Sequence, residues 1–141
     1  MRLTAQADYA VVMMSAAARH GCGARLSATL LSEETGVPLP TAQKLMQRLA
    51  GAGLLSSLRG TGGGFKLTRP AAAISLADII EAIEGPIAMT TCVDPRVGAG
   101  HRDDCALEGA CQTKPHWGAV NGAVRGALAA VPLTRLAETT A

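Results

Sequence analysis

Aromatic residues are nearly missing from this 141-residue chain: Tyr9, Phe65 and Trp117 are the only three. A core must therefore come from Ala, Leu, Val, Ile and Met, which favours helices over a β-sandwich. With hydrophobic residues at 48%, the chain has enough apolar material for one domain of ordinary size. Long apolar runs are also missing. Uncharged stretches such as Tyr9 to Ala18 stop at ten residues, against the roughly 18 a membrane span needs. The opening Met1-Arg2-Leu3-Thr4 meets charge again at Asp8 without an apolar stretch or cleavage site, so it does not read as a secretion signal. The expectation is a cytoplasmic protein with no membrane partner. No Cys-x-x-Cys occurs, which removes the zinc ribbon and the thiol-redox motif. A thiol enzyme would also need a paired base, and none is evident.

Charge is present but unevenly placed. Residues 1–70 hold eight Lys/Arg against three Asp/Glu, whereas residues 71–141 hold five against eight. A basic first half suits a polyanionic partner.

Periodicity organises the chain into helices. Ala7, Ala10, Val11, Met14 and Ala18 predict a first helix over 4–19. Ser27 can cap a second helix reaching Thr35, with Gly36 as its stop. Pro38 and Pro40 open a third, which runs to about Ala50 with Leu45, Met46 and Leu49 facing inward. Two short strands, 54–58 and 65–68, flank the glycine-rich Arg59-Gly60-Thr61-Gly62-Gly63-Gly64 and read as a β-hairpin. Ser75 can cap a fourth helix to Glu84, closed by Gly85-Pro86. A loop-rich stretch over 87–112 follows, then a long helix over 113–130 and a short turn around 133–136. The fold class is mainly α: a winged helix-turn-helix region over 1–70, a connecting helix and cysteine loop over 71–112, and a dimerisation helix with tail over 113–141.

This order of elements places the third helix in a DNA major groove. Thr41, Gln43, Lys44, Gln47 and Arg48 lie away from its apolar face and are side-chain types that reach bases and phosphates. The hairpin tip offers Arg59, Gly62 and Gly63, with Lys66 and Arg69 on the return, to a phosphate backbone or a minor groove. Gly62 to Gly64 are expected to adopt backbone angles closed to other residues. The tip is not a nucleotide-cradling loop, because it leads into a strand and no Gly-Lys-Ser/Thr follows.

Of four cysteines, Cys92, Cys105 and Cys111 crowd into twenty residues, while Cys22 stands apart between two glycines as an expected free thiol. In a cytoplasmic chain such crowding suits metal ligation better than disulfides. Asp103 and Asp104 should raise the Cys105 thiol, which makes it a poor nucleophile but not a poor metal ligand. An iron–sulfur cluster is one occupant. Structural zinc held by Cys92, Cys105, Cys111 and His116 is another.

The sequence resembles the Rrf2 family of regulators over residues 1–131. The resemblance lies in Met1-Arg2-Leu3-Thr4 with Asp8-Tyr9-Ala10-Val11, in Lys44-Leu45 to Gly53-Leu54-Leu55, and in Arg59 to Phe65. Ile74 to Ile80, Glu84-Gly85-Pro86 and the three cysteines extend it. Glu84 to Cys92 and Cys111 with His116-Trp117 look most like the branch that regulates SUF cluster assembly. The resemblance implies a homodimeric repressor of cluster-assembly genes. It would hold a 2Fe–2S or 4Fe–4S cluster through Cys92, Cys105 and Cys111 and bind double-stranded DNA at a pseudo-palindromic operator. Cluster state would shift the hinge between the fourth helix and the dimer helix. The gap between the first two cysteines is longer than is usual in the family. The family's fourth ligand is either a His three residues after the last Cys, where Lys114 stands here, or an acidic residue of the partner's first helix, where Asp8 matches. Asp8 and His116 are the candidates, with His101 and Glu108 further off.

On the last helix, Gly118, Gly122 and Gly126 recur every four residues. Each weakens a helix by about 1 kcal/mol relative to Ala, so close approach of another helix is expected along that row. The stripe Trp117, Val120, Val124, Leu128 and Val131 is expected to cover a second neighbour.

Overall fold

Residue-level preferences set the element boundaries in the computed structural model, which describes residues 1–97, 105–107 and 109–139. The helices are α1 (Ala5–Arg19), α2 (Ala28–Thr35), α3 (Leu39–Gly51), α4 (Leu76–Glu84), α5 (Lys114–Ala129) and α6 (Leu133–Ala137). Strands β1 (Leu55–Leu58) and β2 (Gly64–Leu67) stand between α3 and α4. Side-chain oxygens close the helix starts: Thr4 accepts from the Ala7 N–H at 3.2 Å, and Ser27 accepts from Leu30 at 3.0 Å. Gly36 ends α2 in the left-handed region at φ 79°.

At α4, Ser75 and Asp78 exchange bonds in a full capping box. Burial pushes the Asp78 carboxyl up. The Ser75 backbone N–H and hydroxyl, together with Arg69, outweigh it and hold the group below 3.8. A depressed carboxylate stabilises the fold above its unfolded value and loses that effect as pH falls through the folded one. Asp78→Ala should therefore lower stability by about 1 kcal/mol at neutral pH. In thermal unfolding, its deficit should shrink as pH falls below 3.8.

Helix α1 runs through the centre of the core. Its buried Ala7, Ala10, Ala16 and Ala17 are small enough for neighbouring helices to approach, and Met13 and Met14 fill the remaining gaps. Against it pack Leu31 of α2, Ala42, Leu45, Met46 and Leu49 of α3, Ile79 and Ile83 of α4, and Leu133 of α6. The chain returns to α1 through α6, whose Leu133 N–H donates to the Ile74 carbonyl at 2.7 Å.

β1 and β2 pair antiparallel, with Leu55 opposite Leu67 and Leu58 opposite Gly64. The loop residue Leu26 extends the hairpin by exchanging two 2.7 Å backbone bonds with Phe65. The glycine expectation is corrected in part. Gly62 (φ 74°) and Gly60 (φ 100°) do occupy the left-handed region, but Gly63 and Gly64 do not. These two are required by crowding: a Cβ on Gly63 would lie 2.8 Å from the Leu58 carbonyl oxygen, and one on Gly64 would collide with the Leu26 carbonyl.

Helix α5 stands apart, with no buried residue. Trp117 and Val120 are 38% and 43% exposed, and Val124, Leu128 and Val131 are only half-buried. The expected apolar stripe is thus not covered along its length within one chain. The glycine row is open too: a Cβ at Gly118, Gly122 or Gly126 would meet nothing within 4 Å. Polar ties add to the partial burial of Val124, Leu128 and Val131 in holding the helix. Arg125 Nε reaches Glu81 at 2.7 Å. Asn121 accepts from the Met89 N–H at 2.9 Å and donates to the Ile87 carbonyl at 3.0 Å.

Candidate functional site

The outer face of α3 follows from its buried one. At about 100° per residue, Lys44 and Gln47 project most directly away from Ala42, Leu45, Met46 and Leu49. Gln43 lies on one flank, and Thr41 and Arg48 lie on the other. Gln43, Lys44, Gln47 and Arg48 are exposed, and Thr41 is half-buried. Thr41, Lys44 and Arg48 border a groove of about 290 Å³ that Gln6 of α1 closes from the far side.

Lys44, Arg59 and Lys66 are exposed and have no ion-pair partner among the described residues. Their charge is open to a polyanion. Two other cations are engaged within the protein. Arg69 falls beyond β2 and binds the Ala73 carbonyl at 2.8 Å and Asp78 at 3.2 Å, so it braces α4 rather than the wing tip. Arg48 donates to Gln6 at 2.9 Å and to the Ile83 carbonyl. The structure also brings in Arg25, which donates to the Gly62 carbonyl and ties the loop before α2 to the wing. Nothing in its surroundings in the sequence, Gly23-Ala24-Arg25, marked it.

On this geometry, Lys44→Ala should weaken binding to any DNA duplex and lower the salt dependence of binding by about one unit. Gln47→Ala should act at one base position, at about 1–3 kcal/mol. Titrations with operator variants across a salt series separate the two.

The three clustered cysteines lie on the segment between α4 and α5. Cys92 is exposed in a short 3-10 turn, Thr91–Val93, with its Sγ 3.1 Å from the Thr90 hydroxyl. Cys105 is exposed. Cys111 is partly exposed just before α5, with the Thr113 hydroxyl 3.2 Å from its Sγ. Thr113 stands where α5 would take a side-chain cap and makes none. Its hydroxyl, its backbone N–H and then the Lys114 backbone and charge hold the Cys111 thiol below its ordinary value, against a smaller opposing effect of burial. That bias toward thiolate suits metal ligation.

Among the described residues, no three His, Cys, Asp or Glu groups stand together as a metal site. Asp8 is exposed on α1, and His116 is exposed on the first turn of α5. Asp103, Asp104, His101 and Glu108 lie outside the described residues. The donor chemistry, three accessible thiols with one biased toward thiolate, fits an iron–sulfur cluster. Cys22 is exposed in the loop after α1 and forms no disulfide. No helix among the described residues is long and apolar enough to cross a membrane.

Known proteins share both sequence and fold. A family model described as an iron-dependent transcriptional regulator, Rrf2, matches residues 3–139. The HTH-type transcriptional regulator IscR of Photorhabdus laumondii is 32% identical over 96% of this chain and 79% of its own. The structure of CymR, the global cysteine regulator of B. subtilis, superposes with a TM-score of 0.72 at 23% identity, covering 100% of this chain and 99% of CymR. T. potens IscR superposes with a TM-score of 0.68 at 24% identity, covering 96% and 85%. These relatives are regulators and not enzymes.

Proposed function

The chain belongs to the Rrf2 family of transcriptional regulators, and on that premise we propose that it is a homodimeric repressor of cluster-assembly genes whose DNA affinity follows an iron–sulfur cluster held by Cys92, Cys105 and Cys111. One observation carries the reading. Three accessible thiols, one already biased toward thiolate, occupy the segment that joins α4 to the open helix α5. The similarity to IscR supports it. A bound cluster would supply a change of charge and ligation at the segment between α4 and α5. Cys92 follows the stretch Ile87–Met89 that Asn121 holds on α5. Cys111 precedes α5 itself. Cys92 and Cys111 would hold the cluster beside the α4–α5 junction, where Arg125 meets Glu81. Two copies joined along α5 would present two α3 helices about 34 Å apart, matching successive major grooves.

Iron and acid-labile sulfide analysis of freshly, anaerobically purified protein tests the reading, together with duplex binding before and after cluster removal. Iron and sulfide in comparable amounts, with an affinity change on removal, are expected. Stoichiometric zinc in a colourless protein would instead assign the site to zinc, with His116 completing it. A metal-free protein whose DNA binding responds to neither metal would remove the cluster from the function.

A further inference from the structure

Helix α4 has an unusual C-terminal turn. Its last residues include Glu81 and Glu84 and no basic side chain. Two acidic groups at the negative end of a helix dipole oppose it, and the last carbonyls of a helix have no partner within it. Other elements relieve both problems. Arg125 of α5 takes Glu81 at 2.7 Å, and the Thr4 N–H donates to Glu84 at 2.9 Å. The missing cation comes from α3, because Arg48 donates one arm of its guanidinium to the Ile83 carbonyl and the other to Gln6 of α1. One side chain of the recognition helix therefore joins α1, α3 and the end of α4. That same end runs through Gly85 into the Ile87–Met89 stretch held by Asn121, and so to Cys92.

We propose that Arg48 is a positioning residue for DNA recognition, which fixes α3 against the end of α4 and transmits shifts of residues 83–89 to Lys44 and Gln47 without contacting DNA itself. The proposal rests on the reading of the outer α3 face as the DNA-binding surface. A planar two-pronged donor is needed, since one ammonium cannot serve Gln6 and Ile83 together in the same geometry. Coupling between sites is reciprocal. If shifts of residues 83–89 bias DNA binding at α3, DNA binding at α3 must in turn bias residues 83–89.

The test uses the full chain, a mixed-sequence DNA duplex and amide hydrogen exchange. In the wild type, saturating duplex should change exchange over residues 83–89 severalfold. Arg48→Ala should lose that change and keep the wild-type salt dependence of binding, whereas Lys44→Ala should lower the salt dependence by about one unit. A purely structural Arg48 would lower the melting temperature and leave the duplex-induced exchange change in place. That result, or a salt slope reduced as in Lys44→Ala, overturns the proposal. So does a wild type that binds duplex with no change at 83–89. A wild type that binds no duplex defeats the DNA-binding reading first. Arg48→Lys should also lose the exchange change while keeping the salt slope, and it serves if the alanine variant does not fold.

Discussion

Cys92→Ala, Cys105→Ala and Cys111→Ala should each leave anaerobic purification with most of the iron and colour gone. A lost thiolate is replaced poorly by the harder carboxylate or imidazole donors a protein can offer in its place. Thr113 holds the Cys111 thiol below its ordinary value, so Thr113→Val should slow cluster loading while leaving all three cysteines in place. The fourth ligand should behave differently. Carboxylate and imidazole are exchangeable and differ in hardness, so removing the true one should leave a labile cluster with an altered spectrum. We expect Asp8→Ala to do this, through a site shared between two subunits, and His116→Ala to leave the spectrum unchanged. A wild-type spectrum and cluster lifetime in Asp8→Ala would rule Asp8 out. Iron content, absorption spectra and decay rates in air measure all six variants.

The second large effect lies in the wing. Gly64→Val should detach the hairpin from the loop before α2. The new side chain would run into the Leu26 carbonyl oxygen and approach Arg25 Cγ at 3.4 Å. Relief requires separating Leu26 from Phe65, which breaks two 2.7 Å backbone bonds. Net losses of about 1 kcal/mol per bond, added to an overpacking cost of about 1–3 kcal/mol, give roughly 3–5 kcal/mol. At roughly 2–4 °C per kcal/mol for a domain of this size, the melting temperature should fall by about 6–20 °C. Duplex binding should fall with it, because Arg59 and Lys66 would lose their fixed relation to α3. Gly62→Ala should be milder. It strains a left-handed position at φ 74° by about 1–2 kcal/mol and crowds only the end of a flexible arginine.

Local chemistry was readable in the sequence wherever one residue decides one boundary. Ser27, Ser75, Gly36 and the glycine-rich tip mark where helices and the hairpin begin and end, and the structure places those boundaries where they fall. The burial of Leu45, Met46, Leu49, Ile79 and Ile83 followed from helical periodicity in the same way. What could not be read depends on which elements meet. Arg48 and Arg69 look like free cations on basic segments until α4 is packed beside them. Gly64 looks like a turn glycine until Leu26, far away in sequence, supplies the carbonyl that excludes a side chain, and Gly63 does until the hairpin closes on the Leu58 carbonyl. The cysteine segment has neither periodicity nor short ligand spacing. Its residues name the chemistry without fixing an arrangement. The apolar stripe on α5 was visible, but its incomplete cover within one chain was not, because periodicity identifies a face and not what lies against it.

In the proposed homodimer, the open row along α5 would make its stability a matter of mass action. Alanine at Gly118, Gly122 or Gly126 would fit an isolated protomer and strengthen the helix by about 1 kcal/mol per site. A lone chain is thus softer than its own backbone allows. In the homodimer proposed above, that deficit is made good only when a second copy approaches more closely than a methyl group would permit. The melting temperature then rises with protein concentration. The same alanines that firm up a dilute chain would weaken the pair. In that proposed dimer, α5 would be least ordered when the protein is scarce and would become firm as the chain accumulates.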